Sequence, residues 1–279
     1  MSEGTLLLCA TPIGNMQDIT LRALEALKTC DVIAAEDTRV AGILLQHFEI
    51  RKPMIPFHEH NVMQQKERVL DMLREGKTVV LVSDAGMPGI SDPGAEMATM
   101  AMDAGFSVSV LPGASAGISA LVLSGLDASR YCFEGFLPVK GEERKARLED
   151  IRAQRMTVVL YEAPHRLEKT LRDLLDALGD RRITLVRELT KVFEEVERTT
   201  VKGALAHLAE RPARGEYVLV LEGAGEEENV APDLEQVVRE QMQRGLGTKG
   251  AAKEAARLLD IPVRDAYEAA LRLKQEQEE

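Results

Sequence analysis

Apolar and β-branched residues fall in short runs along the first half of the chain, and each run gives way to a segment with helical spacing. Thr5–Ala10 reads as a strand. Leu21, Leu24 and Leu27 then recur at helical intervals within Asp18–Lys28, with Asp18 as the predicted N-cap. Cys30–Ala35, Thr78–Val82 and Ser107–Leu111 read as further strands, and Gln64–Glu75 and Ala95–Ala104 as helices. This alternation predicts a mainly parallel sheet with right-handed crossovers.

The second half has a different rhythm. Tyr131–Leu137 and Thr157–Tyr161 read as strands around a charged helix, Glu142–Gln154, and His165–Leu178 as another helix. Ile183–Glu188, Glu194–Thr200 and Tyr217–Glu222 follow as strands with no long helix expected between them, which predicts a mixed or antiparallel sheet. The tail reads helix, tight turn, helix around Asp260-Ile261-Pro262, in the manner of a helix-turn-helix. The expected organisation is an N-terminal α/β domain over 1–114, a second α/β domain over 115–225, and an acidic linker with a helical tail over 226–279.

Composition narrows the class. Of 279 residues 45% are hydrophobic and 29% charged, enough for a sizeable core and too apolar for long disorder. Aromatics are only 4% with no Trp, which argues against a sheet that reads RNA through a platform of exposed rings. The formal charge of −11 excludes a globally basic coat for nucleic acid. The tail differs locally: Val237 to Lys274 holds eight Lys/Arg against five Asp/Glu. Three scattered cysteines without C-x-x-C predict a reducing cytoplasm and no zinc finger. The opening residues lack the positive region of a signal peptide. Val108 to Leu126, the least polar stretch, is broken by Pro112 and three glycines and predicts no membrane span.

Candidate chemistry lies where strands end. The strands ending at Ala10, Val82 and Leu111 run into TPIGN, SDAGMPGISDPG and PGASAG, loops whose glycines let backbone approach a ligand at the carboxyl edge of a sheet. No G-x-G-x-x-G is present, and Gly76-Lys77-Thr78 precedes a strand instead of following one, so a pyrophosphate cradle is not expected. A nucleoside-like ligand without a pyrophosphate, such as S-adenosylmethionine, suits these loops better. Asp84 reads either as a turn cap or as an acceptor for a ribose diol or an amino group.

TPIGN, AAEDTR, SDAGMPGISDPG, LPGASA, EGFLP, YEAPHR, RELTK and GEYVLVLEG together resemble the tetrapyrrole methylase superfamily. More narrowly they resemble its branch that methylates the ribose 2′-oxygen of a cytidine in 16S ribosomal RNA. The resemblance spans about Leu6 to Gly223 and continues into the tail. It implies two α/β domains, a homodimer, and S-adenosyl-L-methionine in the cleft between the domains. Carried over by motif, Pro12 would line the cleft floor. Asp84, Gly86 and Met87 would meet the ribose or methionine part, Ser115 and Ala116 the amino-acid end, and Tyr161 and Leu189 the adenine. Met87 and Ala114 depart from what the family usually places there.

A ribose hydroxyl needs a base or a nearby positive charge to become a nucleophile, and Asp37 and His60 are the candidates. Arg39, Arg187 and Lys191, with Lys249 and Lys253 in the tail, are candidate RNA contacts. At this net charge, recognition should be of a shaped target, such as an assembled small ribosomal subunit. Two alternatives stay open: methylation of a tetrapyrrole precursor, and a non-enzymatic S-adenosylmethionine sensor with a helix-turn-helix output.

Overall fold

The computed structural model describes residues 4–57, 62–225, 234–243, 246–259 and 261–278. Contacts divide the chain into two units, Met1–Gly223 and Ala224–Glu279.

In the first unit, strands β1 (Thr5–Cys9), β2 (Val32–Ala35), β3 (Met54–Pro56), β4 (Thr78–Val82) and β5 (Ser107–Leu111) form one parallel sheet in the order β3-β2-β4-β1-β5. Helices α1 (Leu21–Thr29), α2 (Thr38–His47), α3 (Val62–Arg74) and α4 (Gly94–Asp103) are the crossovers. Every residue of β2 is buried, as is all but the first of β4, so these strands are apolar throughout instead of alternating. Two cores flank the sheet, one built on Leu6, Leu73, Leu81 and Met97 and the other on Leu27, Ile33, Leu44 and Val80. Because the strands are parallel, the loops leaving β1, β4 and β5 gather at one edge. An isolated bridge joins two of them: the Thr11 and Gly86 amides each donate to the other's carbonyl, at 2.9 and 3.1 Å.

Helix α5 (Ala116–Ser124) leads into the second sheet and packs on it. Strands β6 (Tyr131–Phe136), β7 (Thr157–Glu162), β8 (Arg182–Arg187), β9 (Glu195–Thr200) and β10 (Tyr217–Leu221) lie in the order β6-β7-β10-β8-β9. β6 pairs parallel with β7, and the other neighbours pair antiparallel. Tyr217 stands opposite both Glu162 and Arg187, so the ends of β7 and β8 and the start of β10 share an edge. Helices α6 (Glu142–Ala153), α7 (Pro164–Leu178) and α8 (Val201–Glu210) complete this lobe. They pack over a core containing Leu160, Leu167, Leu171 and Leu219.

The mixed second sheet agrees with the sequence expectation, while some details do not. Asp18 ends a short 3-10 turn, and the N-cap of α1 is Thr20, whose hydroxyl accepts the Ala23 amide at 3.2 Å. A helix does separate β9 from β10: α8 is capped by Thr200 and anchored by buried Val201 and Ala204. α2, β3 and α5 were not expected as elements.

The second unit holds α9 (Leu234–Gln243), α10 (Thr248–Leu259) and α11 (Val263–Glu278). Its core is built of small residues: Ala251, Ala252, Ala255 and Ala256 of α10 pack with Ala266 and Ala270 of α11 and Val238 of α9. Among the described residues no helix is long and apolar enough to cross a membrane.

Candidate active site

The carboxyl edge of the first sheet faces the β7/β8/β10 edge of the second across a cleft of about 510 Å³. The first lobe contributes Ile13, Glu36, Ser83–Met87, Ser91 and Asp92. The junction adds Ser115 and Ala116. The second lobe adds Phe136, Tyr161–Pro164, Val186, Leu189 and Glu216–Val218. Of the eight expected cofactor contacts, Asp84, Gly86, Met87, Ser115, Ala116, Tyr161 and Leu189 meet here. Pro12 lines an adjoining, smaller cavity instead.

Backbone conformation and local hydrogen bonds set this lining. Gly86 has φ +80°, and a Cβ there would stand 3.3 Å from Ile13 Cγ2, so glycine both permits the turn and keeps the loop against its neighbour. Asp92 fixes the next turn by accepting the amides of Gly89 and Gly94 at 2.8 and 2.7 Å. Ser115 is the N-cap of α5 but makes no side-chain cap bond, so the first turn of that helix presents donors beside the cleft. Within the second lobe, the Gly117 amide at the start of α5 donates to the Tyr161 hydroxyl of β7 at 3.2 Å. Burial pushes the Tyr161 phenol up, and that hydrogen bond opposes the shift. Phe133 and Phe136 meet the Tyr161 ring edge-on, at 4.9 and 5.6 Å between centroids.

These walls suit S-adenosylmethionine. The volume lies in the usual range for small-ligand sites, about 300–1,000 Å³. Apolar side chains of the second lobe could cover a flat base, the Asp84 carboxylate could meet a diol or ammonium, and the N–H groups at the start of α5 could meet a carboxylate. Among the described residues no cluster of His, Cys, Asp and Glu is arranged to hold a metal.

Glu162, lining the cleft from β7, belongs to a buried polar network absent from the residues expected from sequence. Its carboxylate accepts the Thr170 hydroxyl at 2.5 Å and the Ala163 amide at 2.9 Å, and pairs with Arg166 at 3.3 Å. Arg144 binds Thr170, Asp173 and the Pro138 carbonyl, so the network ties the segments after β6 and β7 to α6 and α7. Its signal in the sequence is the pair of motifs EGFLP and YEAPHR. Glu216–Val218 of the GEYVLV motif also line the cleft, beyond the residues expected from sequence.

The expected catalytic and RNA-contact residues separate. Asp37 is the N-cap of α2, where its Oδ1 accepts the Arg39 amide at 2.7 Å, and its carboxylate also grips the Arg39 guanidinium at 2.6 Å. Hydrogen bonds from Arg39 hold the Asp37 carboxyl down at about 2. So weak a base is a poor proton acceptor at neutral pH. The Asp37 amide in turn donates to Asp84 Oδ1 at 2.9 Å, and the Asp84 amide to Glu36 at 3.2 Å, stitching EDTR to SDAG. His60 lies outside the described residues.

Lys191 stands at the mouth of the smaller cavity and pairs with Glu188 and Glu216, each at 2.9 Å. Its loop presses on TPIGN: the Asn15 amide donates to Thr190 Oγ1 at 3.1 Å, and a Cβ on Gly14 would fall 2.5 Å from Lys191 Cγ. Arg187 does not reach the cleft. It pairs with Glu195 at 2.8 Å and lines a small cavity shared with His207 and Arg211. Lys249 and Lys253 are exposed on α10 in the second unit.

The family described as Tetrapyrrole (Corrin/Porphyrin) Methylases matches residues 5–205. The chain is 44% identical to "Ribosomal RNA small subunit methyltransferase I" of Synechocystis sp., over 97% of this chain and 99% of that protein. It is 43% identical to the protein of the same name from Streptococcus pyogenes serotype M1, over 96% and 94%. Among solved structures, a cobalt precorrin-4 methyltransferase of cobalamin biosynthesis superposes with a TM-score of 0.59 at 18% identity. The match covers 79% of this chain and 95% of that one, and shows a shared fold.

Proposed function

Because the chain belongs to the tetrapyrrole (corrin/porphyrin) methylase family, we propose that it transfers a methyl group from S-adenosyl-L-methionine to the ribose 2′-hydroxyl of a cytidine in 16S ribosomal RNA. One observation carries this reading: the likeness to proteins named for methylating small-subunit ribosomal RNA runs through both sheets and the helical tail, over 94–99% of those proteins' lengths.

The bound donor supplies an activated methyl on a sulfonium. The chain's own task is alignment and exclusion of water. The Gly86 turn and the Tyr161–Gly117 hydrogen bond shape the two walls around the donor, and the Asn15–Thr190 hydrogen bond ties the lobes together beside it. In the transfer the bond from the 2′-oxygen to the methyl carbon forms as the carbon–sulfur bond breaks, S-adenosylhomocysteine leaves, and the hydroxyl proton passes to a base. Arg39's hold on Asp37 keeps that carboxylate a weak base, and the proposal assigns the proton to the other candidate, His60. Arg39 on α2, Lys191 at the smaller cavity, and Lys249 and Lys253 on the tail contact RNA phosphates. Arg187 is not part of this reading.

The working form is a homodimer. Val110 on edge strand β5, and Ile118 and Val122 on α5, are apolar side chains left exposed in one copy.

Incubation with labelled donor and undermethylated small subunits, with a tetrapyrrole precursor in parallel, tests the reading. Label is expected in RNA. Label in the tetrapyrrole alone would move the chain to small-molecule chemistry, and donor binding without transfer to either would favour a sensor.

A further inference from the structure

The smaller cavity beside the donor cleft has a volume of about 240 Å³. It lies between the TPIGN loop, the first two turns of α2, the end of β4 and the Lys191 loop. Ile13, Ser83, Asp84, Ala85 and Glu216 line both spaces, so the two adjoin across a single wall. We propose that this cavity receives the acceptor: one unstacked pyrimidine nucleoside of the RNA, its ribose turned toward the shared wall. The inference rests on the methyltransferase reading above and names where the substrate sits.

Size selects the occupant. The cavity falls below the roughly 300–1,000 Å³ typical of sites for drug-sized ligands, which suits a single nucleoside and is too small for a tetrapyrrole macrocycle. Chemistry selects the same class. Val40 and Ile43 of α2 supply an apolar wall for the flat face of a base, and both are exposed, Ile43 by 61%. Ser83, Asp84 and Glu216 supply polar groups for a base edge and a ribose. The same helix carries a cation. Arg39 is four residues before Ile43, hence on the same helical face, and its side chain is 88% exposed even while bound to Asp37. Lys191 stands across the cavity on the other lobe. An apolar slot between two cations matches a base flanked by its phosphates.

Ile43→Trp fills the slot from an exposed position that does not line the donor cleft. Donor affinity measured by calorimetry should stay within about twofold of wild type. Transfer to undermethylated small subunits should fall by about a hundredfold, the scale of a misplaced acceptor. Wild-type rates in Ile43→Trp would overturn the assignment, and so would an equal loss of donor affinity. If the wild-type protein itself labels no RNA, the functional reading fails and this inference fails with it. If wild type and Ile43→Trp label RNA alike, the functional reading stands and only the acceptor site is wrong.

Discussion

Replacing Arg144 by methionine tests how the cleft wall around Glu162 is held. Arg144 is 4% exposed and donates to Asp173 Oδ2 at 2.7 Å, the Pro138 carbonyl at 2.7 Å and Thr170 Oγ1 at 3.0 Å. Methionine keeps much of the stem volume and removes all three donors. Truncating one partner of a buried ion pair costs about 3–5 kcal/mol. Asp173 retains Lys169 at 2.5 Å and is partly exposed, which places this case at the lower end, ~3 kcal/mol. For a lobe pair of this size that corresponds to a fall in Tm of about 6–12 °C. The chain has no Trp, so unfolding is followed by circular dichroism in urea. The effect depends on pH with a defined sign. Burial raises the Asp173 carboxyl, but hydrogen bonds from Lys169 and Arg144 outweigh it and leave the value lowered. The carboxylate's contribution is therefore present above the unfolded value of ~3.9 and is lost as pH falls through the lowered folded value. The gap between wild type and Arg144→Met should narrow in acid. A loss below ~1 kcal/mol at pH 7 would refute the argument that the network is a buried, coupled support.

Gly86→Ala forces a side chain into a left-handed turn at φ +80° and brings a Cβ to 3.3 Å from Ile13 Cγ2. It should cost about 1–2 kcal/mol and weaken donor binding, and unchanged binding in calorimetry would remove this turn from the site. Arg39→Ala should spare donor affinity while reducing methylation of subunits, and should let the Asp37 carboxyl rise from about 2 toward its ordinary value, as followed by NMR titration. Equal loss of donor affinity would show that Arg39 serves the donor cleft instead. Burial, with Cys30 as a neighbour, pushes the Cys9 thiol up to about 12, whereas Cys132 is only partly buried. Iodoacetamide at pH 8 should modify Cys132 well before Cys9, read by peptide mass. Equal rates would mean that the first sheet opens readily.

The sequence made the site's location legible because β1, β4 and β5 each run directly into a loop rich in glycine or proline, and parallel strands bring those loops to one edge. It hid α5, AGISALVLS, because a helix that is apolar nearly all round carries no period. It hid β3 because the strand is only three residues and ends in Pro56. Arg187 and Lys191 looked equivalent within one motif. Between them Glu188 and Thr190 adopt φ of 50° and 66°, and this left-handed backbone sets the loop carrying Lys191 against TPIGN while Arg187 faces Glu195. No residue type announces that turn, since neither position is glycine. Asp37 was legible as a polar residue at a strand end. That its carboxylate would be consumed by capping α2 and holding Arg39 depended on recognising α2 itself.

The central claim is that a methyl group reaches a ribose oxygen of small-subunit RNA. Undermethylated small subunits incubated with methyl-labelled S-adenosylmethionine and the full chain would be stripped to RNA and digested with alkali, which cannot cut beside a 2′-O-methyl ribose. The account predicts label in an alkali-resistant dinucleotide whose first nucleoside is cytidine. Label recovered in mononucleotides would place the methyl on a base and contradict it.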